Sequence, residues 1–311
     1  MSERAAIEQR VIDRGRVADW GRTSADYATY RPDPPASFFD RLAALGVGLP
    51  GQHILDLGTG TGALAREFAR RGAAAAGIDI AEAQLATARS LALQARLAVD
   101  FYRAPAEAVP FADGAFDCIT ANQCWLYFDR AKAIAEARRL LRTGGLLVTS
   151  HFSWLPRLDE VARASEALIL KYNPQWTAAD WPGEIPAMPR WAEGEFRLRA
   201  MFWYDEEIAF TRESWRGRIR ASRGIGAALS DGEVAAFDAE HDALLRRSVG
   251  ECFTVRHRLD AHLLEFKSKR RNPWTSPSSA PAARNAIPSG SAPPACCAMP
   301  AVPSWSIAAP A

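Results

Sequence analysis

Residues 53–62, His-Ile-Leu-Asp-Leu-Gly-Thr-Gly-Thr-Gly, constrain the fold of this chain more than any other stretch. A short apolar run carrying one acid, Asp56, stops at three alternating glycines. A helical pattern, Ala63-Leu64-Ala65-Arg66-Glu67-Phe68-Ala69, begins at once. Strand, tight turn and helix in that order are the local form of a nucleotide-binding crossover. Gly58 and Gly60 let the main chain turn and approach a ligand with no Cβ in the way, and Gly62 lets the helix start close to the strand. The helix N-terminus then offers free N–H groups to polar ligand atoms.

The same alternation continues downstream. Strands are predicted over 53–57, 74–80, 97–102, 117–122 and 145–151, and helices over 62–71, 81–95 and 129–141. Gly144-Gly145 marks the turn into the fifth strand. Right-handed crossovers make this an α/β chain with a doubly wound, Rossmann-like parallel sheet and helices on both faces. Ligands in such sheets sit beyond the carboxyl ends of the strands, so residues just after each strand are the candidates for chemistry. Four zones are expected: 1–50 as an N-terminal segment covering the ligand site, and 51–152 as the ligand-binding core. Then come 153–267 as a substrate lid with the final strands of the same domain, and 268–311 as a disordered tail, basic and then rich in Pro, Ala and Ser.

Composition narrows the class. The 311 residues are 48% hydrophobic and 24% charged with a net charge of +2, values of an ordinary globular chain with no bias toward nucleic acid or an anionic membrane. Met1-Ser2-Glu3-Arg4 leads into charged sequence without an apolar signal-peptide region, and no run approaches the ~20 apolar residues of a membrane span. Cys118, Cys124, Cys252, Cys296 and Cys297 fit neither a disulfide framework nor a zinc site. A cytoplasmic location and no metal are the expectations.

Gly58-x-Gly60-x-x-Ala63 also satisfies the dinucleotide fingerprint, which leaves an NAD-dependent oxidoreductase as an alternative. The fuller string Asp56-Leu57-Gly58-Thr59-Gly60-Thr61-Gly62 resembles motif I of the class I S-adenosylmethionine methyltransferases. The charges favour that choice. An acid repels the pyrophosphate of NAD and attracts the sulfonium and ammonium of S-adenosylmethionine. The alternative for Asp56 is a carboxylate that only caps the glycine loop. Asp79, followed by Ile80, lies just after the second strand, where an acid accepts hydrogen bonds from ribose hydroxyls; it can also cap the next helix.

Further strings carry the resemblance. Arg103-Ala104-Pro105-Ala106-Glu107-Ala108-Val109-Pro110-Phe111, with Asp113 and Phe116-Asp117, resembles a loop of the ubiquinone-biosynthesis and trans-aconitate methyltransferase types. There the Ala-Glu step, here Ala106-Glu107, brackets the adenine; Pro105 stands where an acid is common. Asn122 to Asp129 resembles the family's segment near the transferred methyl, with Leu126 in place of a histidine. Trp125, Tyr127 and Phe128 offer an aromatic wall suited to a cation. Tyr27-Ala28-Thr29-Tyr30-Arg31-Pro32 resembles the segment that covers the cofactor, in which Tyr27 and Tyr30 would close the pocket. Arg31 would meet the cofactor's carboxylate or an anionic substrate.

The resemblance covers about residues 20–267. It implies a seven-stranded sheet with six parallel strands and one antiparallel, plus a lid-type insertion. The implied cofactor is S-adenosyl-L-methionine, with S-adenosyl-L-homocysteine as product. The implied reaction is in-line methyl transfer to a small-molecule acceptor, for which the arginines and tryptophans named below suggest an anionic or aromatic character. A non-catalytic S-adenosylmethionine-binding scaffold is the second alternative. His151, after the fifth strand, is the candidate general base, with Tyr27 behind it. His241, on a charged helix, and His257 and His262, in an apparent pair of late strands, are weaker candidates. Arg216, Arg220 and Arg223 share a helical face that can bind a carboxylate or phosphate, or simply face solvent. Trp176, Trp181, Trp191 and Trp203 fall in the lid region.

Overall fold

A computed structural model describes residues 22–267. Two helices lead, α1 (Ser24–Tyr30) and α2 (Ala36–Ala44). The alternating core follows: β1 (His53–Leu57), α3 (Ala63–Arg70), β2 (Ala74–Asp79), α4 (Glu82–Gln94), β3 (Val99–Arg103), β4 (Phe116–Asn122), α5 (Arg130–Leu140) and β5 (Leu141–Trp154). The last part holds α6 (Glu160–Tyr172), β6 (Phe196–Thr211), α7 (Arg212–Arg220), α8 (Asp231–Ser248) and β7 (Cys252–Phe266).

The seven strands form one sheet in the order β3-β2-β1-β4-β5-β7-β6. β1 to β5 pair in parallel, and β7 runs antiparallel to both β5 and β6, so six strands share one direction. The order reverses between β1 and β4, and that switch point opens a crevice at their carboxyl ends.

The core strands are buried on both faces because helices cover both. One face packs β1 and β2 against Phe38, Phe39 and Leu42 of α2 and Leu64 and Phe68 of α3. The other packs Leu55, Leu57 and Ile119 against Ala133, Ala137 and Leu140 of α5. A third apolar cluster, around Trp215, Ile219 and Phe237, binds α6, α7 and α8 to the far end of the sheet.

Several expectations change. Among the described residues of the first zone, α2 is part of the main core, and Tyr27 and Arg31 lie at the crevice. The fifth strand runs to Trp154, past the expected boundary at 152, because its residues 146–154 pair with β7. His257 and His262 stand on that single long strand, not on a pair. The tail, with Cys296 and Cys297, lies outside the described residues, and Lys267 is the last residue described. Among the described residues, no helix is long and apolar enough to cross a membrane.

Candidate active site

The crevice at the switch point is a cavity of about 1470 Å³, and the carboxyl ends of β1, β2, β4 and β5 all reach it. Gly58 (φ +59°) and Gly60 (φ +56°) form its floor in the left-handed region that glycine tolerates. A Cβ on Gly58 would meet the Cys124 side chain at 2.9 Å. Gly62 (φ +79°) is used differently: a Cβ there would meet Phe101 of β3 at 2.8 Å. It serves packing and does not line the cavity.

Asp56 also stays out of the cavity. It is 3% exposed, and its two carboxylate oxygens accept from the Thr120 hydroxyl at 2.6 Å and the Thr59 hydroxyl at 2.7 Å. Burial pushes it up to about 6, against the opposing hydroxyl bonds. Thr59 is turned down by the same bond, and its N–H donates to the Ile78 carbonyl at 2.8 Å. Asp56 and Thr59 therefore hold the loop from beneath, which is the capping role and not direct contact with a ligand in the cavity.

Asp79 ends β2 at the cavity wall. One oxygen accepts from the Gly60 N–H and the other from the Ala81 N–H, both at 2.9 Å, so it fixes the glycine loop and starts α4 at once. Burial raises its pKa, opposed by those backbone bonds. Ile80 is exposed at the rim. Beside it Gln84 is 4% exposed, and its Oε1 has no hydrogen-bond partner. That atom comes within 3.9 Å of where a Gly60 Cβ would stand. An acceptor left bare in a buried place is costly, and a ligand hydroxyl would satisfy it. Gln84 was missed from sequence. The signal is its position, five residues after Asp79 on the first turn of α4.

Ala106 and Glu107 line the opposite wall. The Glu107 carboxylate accepts from the Asp129 N–H at 2.7 Å, which ties the loop to the start of α5. Asn122 ends β4 and accepts from the Ser150 hydroxyl at 3.1 Å. Next to it Gln123 takes a left-handed φ of +64°. Its side chain donates to the Phe152 carbonyl and to the Ser153 hydroxyl, which holds the strained turn against β5. Trp125 lies 4.6 Å from Trp191 between ring centroids and forms the aromatic wall with Phe128. Tyr127 and Leu126 also line the cavity. The half-buried Cys124 thiol donates to the Leu57 carbonyl at 3.0 Å, and desolvation pushes its pKa well up.

Tyr27 and Arg31 roof the glycine loop, with the guanidinium 4.7 Å from the ring centroid. Tyr30 does not close the pocket. Its hydroxyl donates to Glu213 of α7 at 2.9 Å, and its ring fills the notch left by Gly217. Asp26 accepts from Arg220, which also bonds Asp238 of α8. Arg216 is taken up by Asp238 and Asp242. Arg216 and Arg220 thus clamp α1, α7 and α8 together and face no ligand; Arg223, beyond the helix end, borders the cavity.

Missed from sequence was Arg218, which is 6% exposed and also borders the cavity. Its guanidinium lies 4.7 Å from the Trp154 ring centroid. Burial first, and then the like charge of Arg31, pull it down to about 9. Trp215 and Ile219, three positions before and one after, mark the buried face of α7 and were the available signal.

His151 lies in the cavity wall, and its Nδ1 is 3.1 Å from Asp260 of β7, which is fully buried. With Nδ1–H donating to that carboxylate, Nε2 carries the lone pair, the arrangement of an oriented base. Asp260 was missed because only the β5–β7 register, which pairs it with His151, brings it there. His262 donates to the Pro186 carbonyl and lines the wall. His241, bonded to Ser165, and His257, bonded to the Val255 carbonyl, are core residues that burial holds down at about 4 and about 3.

Comparison with known proteins places this geometry. A family profile described as a methyltransferase domain matches residues 55–149. A ubiquinone biosynthesis O-methyltransferase from Hahella chejuensis is 33% identical over 162 residues, which are 50% of this chain and 66% of that protein. A demethylmenaquinone methyltransferase from Thermus thermophilus is 44% identical over 109 residues, 34% of this chain and 50% of that protein. The chain thus spans between half and two thirds of these relatives. Among solved structures, a putative type II methyltransferase from Anaeromyxobacter dehalogenans superposes with a TM-score of 0.52 at 22% identity. It covers 76% of this chain and 97% of that one, and it shares the fold.

Proposed function

We propose, from the premise that residues 55–149 are a methyltransferase domain of the class I, S-adenosylmethionine-dependent family, that the chain as a whole methylates a small-molecule acceptor in this cavity. The observation that carries the reading is a single hollow that joins two sets of groups. One is a cofactor-shaped set, Gly58, Gly60, Asp79 and the Ala106-Glu107 step. The other is an oriented base, His151 on Asp260.

The residues suit the cofactor. Asp79 stands where ribose hydroxyls would donate, with the bare Gln84 Oε1 beside it. Ala106 and Glu107 would flank the adenine, and Tyr27 with Arg31 would cover the amino-acid end. Bound S-adenosylmethionine supplies a methyl group already activated on a sulfonium. What remains for the protein is alignment, exclusion of water and removal of the acceptor's proton. Alignment alone supplies roughly 7–11 kcal/mol of such barriers. The Trp125, Trp191 and Phe128 wall excludes water, and ring faces favour the cation over the neutral product. Nε2 of His151 takes the proton of an acceptor O–H or N–H while Asp260 keeps Nδ1 protonated and holds the resulting imidazolium.

Isothermal titration with S-adenosylmethionine, S-adenosylhomocysteine and NAD tests the premise. Binding of the first two without NAD is expected; tight NAD binding alone defeats the reading. Release of S-adenosylhomocysteine across a panel of phenols, amines and carboxylic acids then tests turnover, and binding without release from any acceptor favours a scaffold.

A further inference from the structure

We propose that the Arg218 side of the cavity is a carboxylate-recognition subsite for the methyl acceptor, with Ser222 and Trp176 as its further donors; the inference rests on the methyltransferase reading. α7 carries four arginines. Arg212 pairs with Glu251, Arg216 with Asp238 and Asp242, and Arg220 with Asp26 and Asp238. Arg218 is the exception. It is the most buried of the four, it lies on the Trp154 ring, and among the described residues it pairs with no acid; Arg31, Tyr27 and His257 are titratable groups beside it. A buried guanidinium beside a second cation, without an acid, is an expensive arrangement that an incoming anion relieves.

The surroundings point the same way. Ser222, four positions after Arg218, and Trp176 both line the cavity. The Ser222 hydroxyl and the Trp176 indole nitrogen are buried with no hydrogen-bond partner. Of the carboxylates lining this part of the cavity, Asp180 is held by Arg157 and Glu184 is exposed; the buried one, Glu166, accepts from the Trp154 indole at 2.6 Å and from the Asp180 N–H at 2.7 Å. Those bonds fix the Trp154 ring on which Arg218 rests. The wall therefore has buried donors to spare beside Arg218. A carboxylate meets that need, since it accepts two parallel bonds from a guanidinium and others from the side.

Two carboxylates could claim these arginines, the cofactor's and the acceptor's. Position separates them. Arg31 covers the glycine loop with Tyr27 and also borders the small pocket against Gly58, Asp56 and Asn122. Arg218 does not; it borders only the large cavity, with Trp154, Trp176 and Ser222. Arg31 thus falls to the cofactor and Arg218 to the acceptor, whose anionic group is held while Nε2 of His151 attends to its reacting O–H or N–H.

The test is titration of acetate, succinate, benzoate and 4-hydroxybenzoate, each against its methyl ester, into full-length protein saturated with S-adenosylhomocysteine. At least one acid should bind about tenfold or more tightly than its ester. Arg218→Gln should abolish that preference while its affinity for S-adenosylhomocysteine stays within about twofold of wild type. Arg218→Lys, which keeps the charge, should retain part of it and serves if the Gln variant fails to fold. Acids and esters binding alike, or no acid binding below ~10 mM, would overturn the proposal. So would an Arg218→Gln protein that loses S-adenosylhomocysteine affinity but keeps the acid preference, since the arginine would then serve the cofactor. Wild-type protein that does not bind S-adenosylhomocysteine at all would instead bring down the methyltransferase reading, before the subsite is reached.

Discussion

Asp56→Asn tests how the glycine loop is held. The carboxyl sits under the loop at 3% exposure, takes two hydroxyl bonds, and is raised by burial from an ordinary aspartate's 3.8 to about 6. A folded pKa above the unfolded one means that the native state binds the proton more tightly. The stabilisation this gives is full below about pH 3.8 and is lost as pH rises through about 6. At 1.36 kcal/mol for each pH unit the whole effect is about 3 kcal/mol, of which about 2 kcal/mol falls between roughly pH 4.5 and 7.5. Asn cannot titrate, so subtracting its curve cancels every other group that titrates alike in both proteins. Urea unfolding of both proteins across that range gives the difference directly. Wild-type stability should fall relative to the variant by about 2 kcal/mol as pH rises. Parallel curves would show the carboxylate ionised throughout, and the argument from burial would fail.

Three other outcomes are expected. Asp79→Ala should weaken S-adenosylhomocysteine binding in calorimetry by ~1–3 kcal/mol; an unchanged affinity would leave Asp79 only its bonds to Gly60 and Ala81. His151→Gln should lower kcat about 10²–10⁴-fold at neutral pH, with cofactor affinity kept and rate recovered at high pH as the acceptor ionises unaided. Asp260→Asn should act in the same direction, and full activity in both would remove the base. Gly217→Ala would put a Cβ 2.0 Å from the Tyr30 ring. It should cost ~1–3 kcal/mol in urea unfolding and loosen cofactor binding through Tyr27 and Arg31; wild-type values in both would mean that α1 is not seated by that notch.

The core was legible because its signals are local. A buried strand, three glycines and an acid after the next strand lie within 27 residues of sequence, and β1, α3 and β2 fall where expected. The site was legible only in part, because contact across the fold decides it. Asp56 reads as a ligand acid until Thr120, on a neighbouring strand, claims one oxygen. Arg216 and Arg220 read as an anion site until Asp26, Asp238 and Asp242 arrive from two other helices. The inward arginine was Arg218, which sits on the face that Trp215 and Ile219 mark, among three other arginines whose acidic partners lie on other helices or beyond α8. The His151–Asp260 pair spans 109 positions and depends on a strand register that no local pattern encodes.

α1 and α7 are joined by Tyr30 on Glu213, by Asp26 on Arg220, and by a ring seated where α7 has no side chain. Tyr27 rides on the first helix with Arg31 at its end, and Arg218 rides on the second. The roof over one half of the hollow and the wall of the other are thus tied into one piece. With a cofactor and an acceptor bound as proposed, a shift of this piece would loosen the grip on both at once.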